Sequence, residues 1–306
     1  MILPDTFQAA SDEMPAAADP ANQSHCFFFY RGSLLVRQDA IAASQRLAHW
    51  PVSQADIEAL IASPVHPEWA SRRFIGWWHD HPCWGLNLSE EAWQRLQARQ
   101  AQGESADLRF EPLRALFNRL PDEVLAIAGR ALQMLEFDRS HRYCGACANP
   151  TRLHEGGRSR RCSVCGETSY PRVAPAMMVL IKREGVFGRE LLLARSPRFP
   201  AGMYSALAGF VEPSESIESC IHRECLEEVG LRVQNLQYFG SQGWPFPHSL
   251  MIAYVADYES GEIQCQEAEI EDARWFRLDA LPQLPNRLSI ARRLIDGVIA
   301  RDFAGS

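Results

Sequence analysis

The stretch GFVEPSESIESCIHRECLEEVGL, Gly209 to Leu231, decides how this chain is read. A strand and glycine turn, ALAGFVEP, leads into SESIESCIHRECLEEVG, a helix that Gly230 closes because glycine tolerates left-handed backbone. Glu224, Glu227 and Glu228 stand at i, i+3 and i+4 and so share one helical face. Like charges at that spacing repel by roughly a few tenths of a kcal/mol per pair. The cluster therefore reads either as a solvated face or as a set of ligands. Ile217, Cys220 and Ile221 anchor the helix just before it, which favours ligands. Three carboxylates on one face suit a hard, oxygen-loving divalent cation such as Mg²⁺ or Mn²⁺.

Outward from that helix the texture is α/β from Val173 to the end. APAMMVLIKRE and RELLLARS read as strands before it, LRVQNLQYFGSQ and SLMIAYVADYE as strands after it, and RWFRLDALPQL and SIARRLIDGVIAR as a closing strand and helix. Between two of these strands lies SQGWPFPHSL, Ser241 to Leu250. Its prolines fix φ and remove amide donors, so WPFP fits neither a helix nor a central strand.

Upstream, Cys144-Gly-Ala-Cys147 is followed after fourteen residues by Cys162-Ser-Val-Cys165. This is the two-knuckle spacing of a tetrahedral, coordinatively closed Zn²⁺ site with a structural role. Ala148 follows the second cysteine, where such knuckles often carry glycine, and strain in that turn is expected. Arg152, Arg158, Arg160 and Arg161 read better as solvated surface than as phosphate contacts.

Further upstream, Cys26 to Arg37 reads as a strand pair around Arg31-Gly32-Ser33. Ser53 to Ala62, with Ser53 as N-cap, and Ser89 to Ala101 read as short helices. PLRALFNRLPDEVLAIAGRALQMLEF reads as a helical hairpin with Pro121 in the first turn of its second helix. His79, His81 and Cys83 in WWHDHPCW invite a metal reading, but an ordinarily packed aromatic loop is preferred. The expected organisation is an acidic flexible tail (1–24), a mixed α/β N-terminal domain (25–140), a zinc ribbon (141–170) and a catalytic domain (171–306). The fold class is α+β overall.

Composition sets limits. The 306 residues are 46% hydrophobic with a formal net charge of −7, which argues against a broad basic surface for nucleic acid. No apolar run approaches bilayer length. The N-terminal residues lack a basic start and apolar core, so they do not read as a secretion signal. Nine cysteines suggest a reducing compartment, and a cytoplasmic location is expected.

Gly209, five residues, Glu215, seven residues, then Arg223-Glu224-Cys225-Leu226-Glu227-Glu228-Val229-Gly230-Leu231 resembles the Nudix hydrolase signature at every fixed position, with Cys225 in an aliphatic slot. The resemblance implies an α/β/α sandwich and hydrolysis of a nucleoside diphosphate linked to another moiety. It makes Glu224, Glu227 and Glu228 metal ligands, with Gly209, Glu215, Arg223 and Gly230 supporting the box.

The ribbon, with Tyr170-Pro171-Arg172 after it, resembles the NADH pyrophosphatase branch of that family. So does Ser241 to Ser249, which matches SQPWPFPxS except for Gly243. That branch implies cleavage of NADH or NAD⁺ to nicotinamide mononucleotide and AMP, and in some members removal of NAD caps from RNA. It implies an added carboxylate at Glu269, with Glu271 and Asp272 as rivals. It also implies stacking on Phe210 and Tyr170, a base site near Ala291, and a pocket wall from Gln242, Trp244, Phe246 and Ser249. Trp244 is expected to come from the partner subunit of a homodimer. The alternatives are a Nudix hydrolase of ADP-ribose or dinucleoside polyphosphates, and a non-catalytic nucleotide sensor or RNA-binding module. The WPFP loop argues against the first, and the intact glutamate set and the negative charge argue against the second.

Overall fold

The computed structural model describes residues 1–9, 24–38, 48–49, 69–104, 107–186 and 188–304. They divide into two compact units, Met1–Arg172 and Val173–Ser306. Among them no helix is long and apolar enough to cross a membrane. The helix expected at Ser53 to Ala62 lies outside the described residues.

The first unit holds a sheet ordered β1 (Phe7–Ala9), β5 (Trp69–Trp78), β6 (His81–Leu88), β2 (His25–Tyr30), β3 (Ser33–Gln38) and β4 (Ala48–His49), with β7 (Leu108–Pro112) also on β3. The β2–β3 pair is the expected one, turning at Arg31 and Gly32 with φ of 48° and 80°. WWHDHPCW is no loop. It is the tip of the β5–β6 hairpin, where His79 and Asp80 take φ of 48° and 61°, as a two-residue hairpin turn of this hand requires. Cys83 is buried in β6, and burial pushes its thiol up to about 12. His79, His81 and Cys83 are not brought together as ligands.

Two further expectations are corrected in this unit. The first nine residues are not a flexible tail: β1 pairs with β5 and Phe7 is buried. Gly76 makes room for it, because a Cβ there would fall 2.2 Å from the Gln8 carbonyl oxygen and 2.7 Å from the Phe7 ring. The helical hairpin is also incomplete. Its first half is one 3₁₀ turn, Leu113–Leu116, bounded by Pro112 and by Asn118 at φ 62°. Its second half is a full helix, with Pro121 just before the first turn. The helix expected from Ser89 is present as α1 (Glu90–Ala101), with the Ser89 hydroxyl accepting from the Ala92 amide at 3.2 Å; the helix after Pro121 is α2 (Asp122–Ser140).

The ribbon strands β8 (Thr151–His154), β9 (Ser159–Cys162) and β10 (Thr168–Ser169) belong to the same unit. Arg160 ties them to α2: its Nη1 donates to Asp138 Oδ1 at 2.9 Å and its Nε to Thr151 Oγ1 at 2.9 Å. Arg73 from β5 reaches the same carboxylate at 3.2 Å. The three side chains are only 14%, 9% and 4% exposed (Arg160, Asp138, Arg73). A charge buried this deeply is tolerable because it is paired. Arg160 is thus not the solvated residue expected.

In the second unit β11 (Ala174–Gly185) is central, parallel to β15 (Ser249–Ser260) and antiparallel to β12 (Gly188–Arg195) and β13 (Leu207–Phe210). β14 (Arg232–Trp244) lies outside β15, and β16 (Asp272–Arg277) outside β12. Met177, Val179 and Ile181 face a core shared with α3 (Ile217–Val229). Met178 and Leu180 face one shared with α4 (Ile290–Ala304). A strand covered on both faces needs a continuous apolar run, which is why AMMVLI shows no alternation. The result is an α/β/α sandwich. The WPFP prolines sit in the β14–β15 turn, off an edge strand, where their missing amides cost no ladder bonds.

Candidate active site

Two backbone devices aim the glutamates of α3. At its start, the Ser216 hydroxyl accepts from the Ser219 amide at 3.1 Å. At its end, Gly230 adopts φ 72° and its amide closes onto the Leu226 carbonyl. The Glu224 side chain folds against β13, so that a Cβ on Gly209 would fall 2.1 Å from its Cδ and would displace the carboxylate.

Arg223 organises the carboxylates. Its Nε and Nη2 grip Glu215 at 2.8 and 2.9 Å, and Nη2 also donates to the Phe210 carbonyl at 3.1 Å. Its Nη1 reaches Glu224 and Glu227, each at 3.0 Å. This fork holds the Glu215 carboxyl down at about 2. Glu227 is largely exposed, whereas Glu224 and Glu228 are buried. Burial raises Glu224, and it raises Glu228 to about 8, with the charges of Glu224 and Glu269 adding to it. Glu228 Oε2 is buried with no hydrogen-bond partner. An orphaned carboxylate oxygen that feels the charges of two further carboxylates fits a divalent cation.

The loop after β15 brings the fourth carboxylate. Its amides at Gln264 and Gln266 donate to the Val229 and Glu228 carbonyls at 2.9 Å, satisfying the helix end. Gly261 lets it pass, since a Cβ there would lie 2.5 Å from the Gly230 oxygen. Glu269 follows in this loop, exposed, and its charge acts on both Glu224 and Glu228. Its two rivals are engaged elsewhere. Glu271 pairs with Arg195 at 3.0 Å, and Asp272 with Arg274 at 2.7 Å and the Tyr204 hydroxyl at 2.5 Å.

Gly209 faces α3, so Phe210, the next strand residue, faces the α4 side, and it is 59% exposed. Ala291 is buried in the first turn of α4, and Ser249 is buried at the start of β15. Trp244 and Phe246 are half-buried and meet edge to face at 5.1 Å. Tyr170, at the end of the first unit, is 58% exposed. Gln242 is placed differently from a pocket residue. It is 2% exposed; its Nε2 donates to the Leu288 carbonyl at 2.9 Å and its Oε1 accepts from the Ile290 amide at 2.8 Å. It caps α4. Nothing in the sequence pattern near residue 242 points to residues 288–290.

In the ribbon, the thiols of Cys144, Cys147, Cys162 and Cys165 lie within 4.8 Å of one another, the one such ligand group among the described residues. Sulfur pairs at 3.4–3.5 Å are far beyond a disulfide bond. They approach the edge of about 3.8 Å expected for a tetrahedron of Zn–S bonds of about 2.3 Å. Asn149 donates its backbone and side-chain N–H to Cys147 and lowers that thiol to about 6. Ala148 has φ 60°, and Gly166, the corresponding residue of the second knuckle, has φ 79°. The expected strain in the first knuckle is there.

Sandwich, glutamate box and ribbon together define a Nudix hydrolase with a structural zinc domain. The family model described as NUDIX domain matches residues 172–297, NADH pyrophosphatase zinc ribbon domain matches 139–170, and NADH pyrophosphatase-like rudimentary NUDIX domain matches 23–136. The chain is 56% identical to the NAD-capped RNA hydrolase NudC of Chromobacterium violaceum, over 60% of its own length and 68% of that protein. It is 51% identical to the protein of the same name from Deinococcus radiodurans, over 72% and 75%. For that of Pseudomonas syringae pv. syringae the identity is 46%, over 75% and 77%. The chain belongs to the NADH pyrophosphatase branch of the Nudix hydrolase family.

Proposed function

We propose that this chain hydrolyses the pyrophosphate bond of NADH and NAD⁺, giving nicotinamide mononucleotide and AMP, and removes NAD caps from RNA 5′ ends. The observation that carries the reading is the buried, unpartnered Glu228 oxygen, in a carboxylate on which the charges of Glu224, Glu269 and Glu227 act. These four side chains would hold Mg²⁺ or Mn²⁺. When bound, such ions neutralise diphosphate oxygens and lower the pKa of a coordinated water from about 15.7 toward 7.

The chain's own residues do the rest. Arg223, braced by Glu215, fixes the spacing of Glu224 and Glu227 by reaching both carboxylates from one nitrogen. Gly209 lets Glu224 approach the sheet. Phe210 offers an exposed aromatic face for a base or nicotinamide ring, a contact of about 1–3 kcal/mol per ring, and Tyr170 is a separate exposed aromatic of the first unit suited to the same kind of contact. Ala291, Phe246 and Ser249 complete the base side, while Gln242 acts indirectly by fixing the start of the helix that carries Ala291. Trp244 would be presented by the partner of a homodimer. The nine cysteines, unpaired by disulfides, suit the cytoplasm.

The test is a side-by-side product assay on NADH, NAD⁺, ADP-ribose and NAD-capped RNA with Mg²⁺ or Mn²⁺. Nicotinamide mononucleotide and AMP are expected from the dinucleotides. Glu227→Gln is expected to abolish turnover with the fold and the zinc intact. Undiminished hydrolysis by that variant would remove Glu227 from the ligand set.

A further inference from the structure

Between residues 141 and 170 the ribbon carries five arginines (Arg142, Arg152, Arg158, Arg160 and Arg161) against two acids, Glu155 and Glu167. Four thiolates on one Zn²⁺ add two negative charges, so the ribbon is still slightly positive on a negatively charged chain. Arg160 is spent on Asp138, on the inner side of the ribbon. Arg152 and Arg161 are not spent. They are direct partners across β8 and β9, so their side chains leave the same face side by side. Both are exposed, and neither is paired with a carboxylate among the described residues. Like charges placed directly opposite one another weaken a sheet. The pair gains its use when an anion lies between the two guanidinium groups.

The surroundings have the shape for one. Arg152 and Arg161 line a hollow of about 520 Å³ with His154, Val164 and two of the zinc-ribbon cysteines, Cys162 and Cys165, and its wall carries no carboxylate. Val164 is 68% exposed, apolar surface that a sugar or base can cover. Guanidinium groups pair bidentately with phosphate oxygens. On a chain of net charge −7, a polyanion is repelled by most of the surface and settles where charge is locally positive.

We propose that Arg152 and Arg161 clamp the phosphodiester backbone of single-stranded RNA, holding the polynucleotide body of a capped substrate. The clamp rests on the reading that this chain accepts NAD-capped RNA. It is a binding site outside the glutamate box, and it takes no part in the chemistry.

The experiment uses the full, zinc-loaded chain and a short 5′-hydroxyl oligoribonucleotide, which has no cap. Affinity is measured by anisotropy over a range of KCl concentrations. Each phosphate contact contributes about 0.7 to the salt slope on single strands. R152Q/R161Q is therefore expected to lower the slope by about 1.4 and to raise KM for NAD-capped RNA about tenfold. NADH turnover should be unchanged. R152K/R161K, which keeps the charges, should retain the slope. An unchanged slope and KM in R152Q/R161Q overturns the clamp. So does a binding loss that tracks loss of zinc, which would mean the arginines only offset the thiolate charge. Polyglutamate competing as well as RNA would overturn the choice of partner. Normal oligonucleotide results with no hydrolysis of capped RNA would sustain the clamp and refute the capped-RNA reading instead.

Discussion

Glycine at 209 leaves the place a side chain would take to the Glu224 carboxylate. Gly209→Ala must push Glu224 out of the box, and kcat/KM for NADH is expected to fall at least tenfold while zinc content stays unchanged. An alanine variant with full activity would show that Glu224 has room to move without consequence. The first knuckle gives a prediction of opposite sign. Ala148 holds φ 60°, a conformation that costs an L residue roughly 1–2 kcal/mol. Ala148→Gly should raise the denaturant midpoint of the first unit by up to about 1 kcal/mol in stability, part of the gain being lost to glycine's greater unfolded-state entropy. Both positions were legible in the sequence, one as a fixed glycine of the box and the other as a departure from a knuckle pattern. Gln242 was not. Its partners lie 46 and 48 residues away on backbone atoms, and no residue type announces a bond to a backbone carbonyl.

The elements of the second unit follow the hydrophobic pattern because each has a distinct face to bury. β11 is apolar from Ala176 to Ile181, and α3 and α4 each carry one apolar stripe. The first unit was harder to read where turns use unusual residues. The β5–β6 hairpin turns on His79-Asp80 instead of the Asn-Gly that signals such a loop, so two long strands looked like an aromatic loop. Leu113–Leu116 has a helical composition, but Pro112 and Asn118 leave it a single turn. Two predictions belong at this scale. Gln242→Ala leaves a buried carbonyl and a buried amide unpaired at the start of α4 and should cost about 1–3 kcal/mol. Faster hydrogen exchange at residues 288–292 would locate the loss; unchanged exchange there would contradict the capping role. In β2, burial lowers His25 from the usual 6.5 to about 4, with His81 and His79 adding to the effect. The folded chain stays neutral at His25 between pH 4 and 6.5, where the unfolded chain takes up a proton. Stability from this group is therefore complete above pH 6.5 and is lost as pH falls through 4. Urea midpoints should drop over that window, and His25→Gln should flatten the drop. An identical slope in the variant would assign the effect to other groups.

The molecule as a whole combines two compact units with different chemistry. The first holds a zinc ribbon fixed to α2 through Arg160 and Asp138. The second carries the glutamate box on a helix pressed against a mixed sheet. The WPFP segment closes a hairpin of that sheet and presents Trp244 and Phe246 together. Trp244→Ala should therefore harm turnover of NADH more than that of ADP-ribose, and an equal loss on both would reduce the loop to a support for the fold. The account stands most directly on the buried carboxylate of Glu228. The measurement is chromatography of the products of NADH at saturating Mg²⁺ or Mn²⁺, for the native chain and for Glu228→Gln of matched circular dichroism and zinc content. The account predicts equimolar nicotinamide mononucleotide and AMP from the native chain. It also predicts a loss of at least about 100-fold in kcat for the variant, the scale of removing several kcal/mol of charge stabilisation. Comparable kcat in the two proteins, or release of free nicotinamide and ADP-ribose by the native chain, would contradict it.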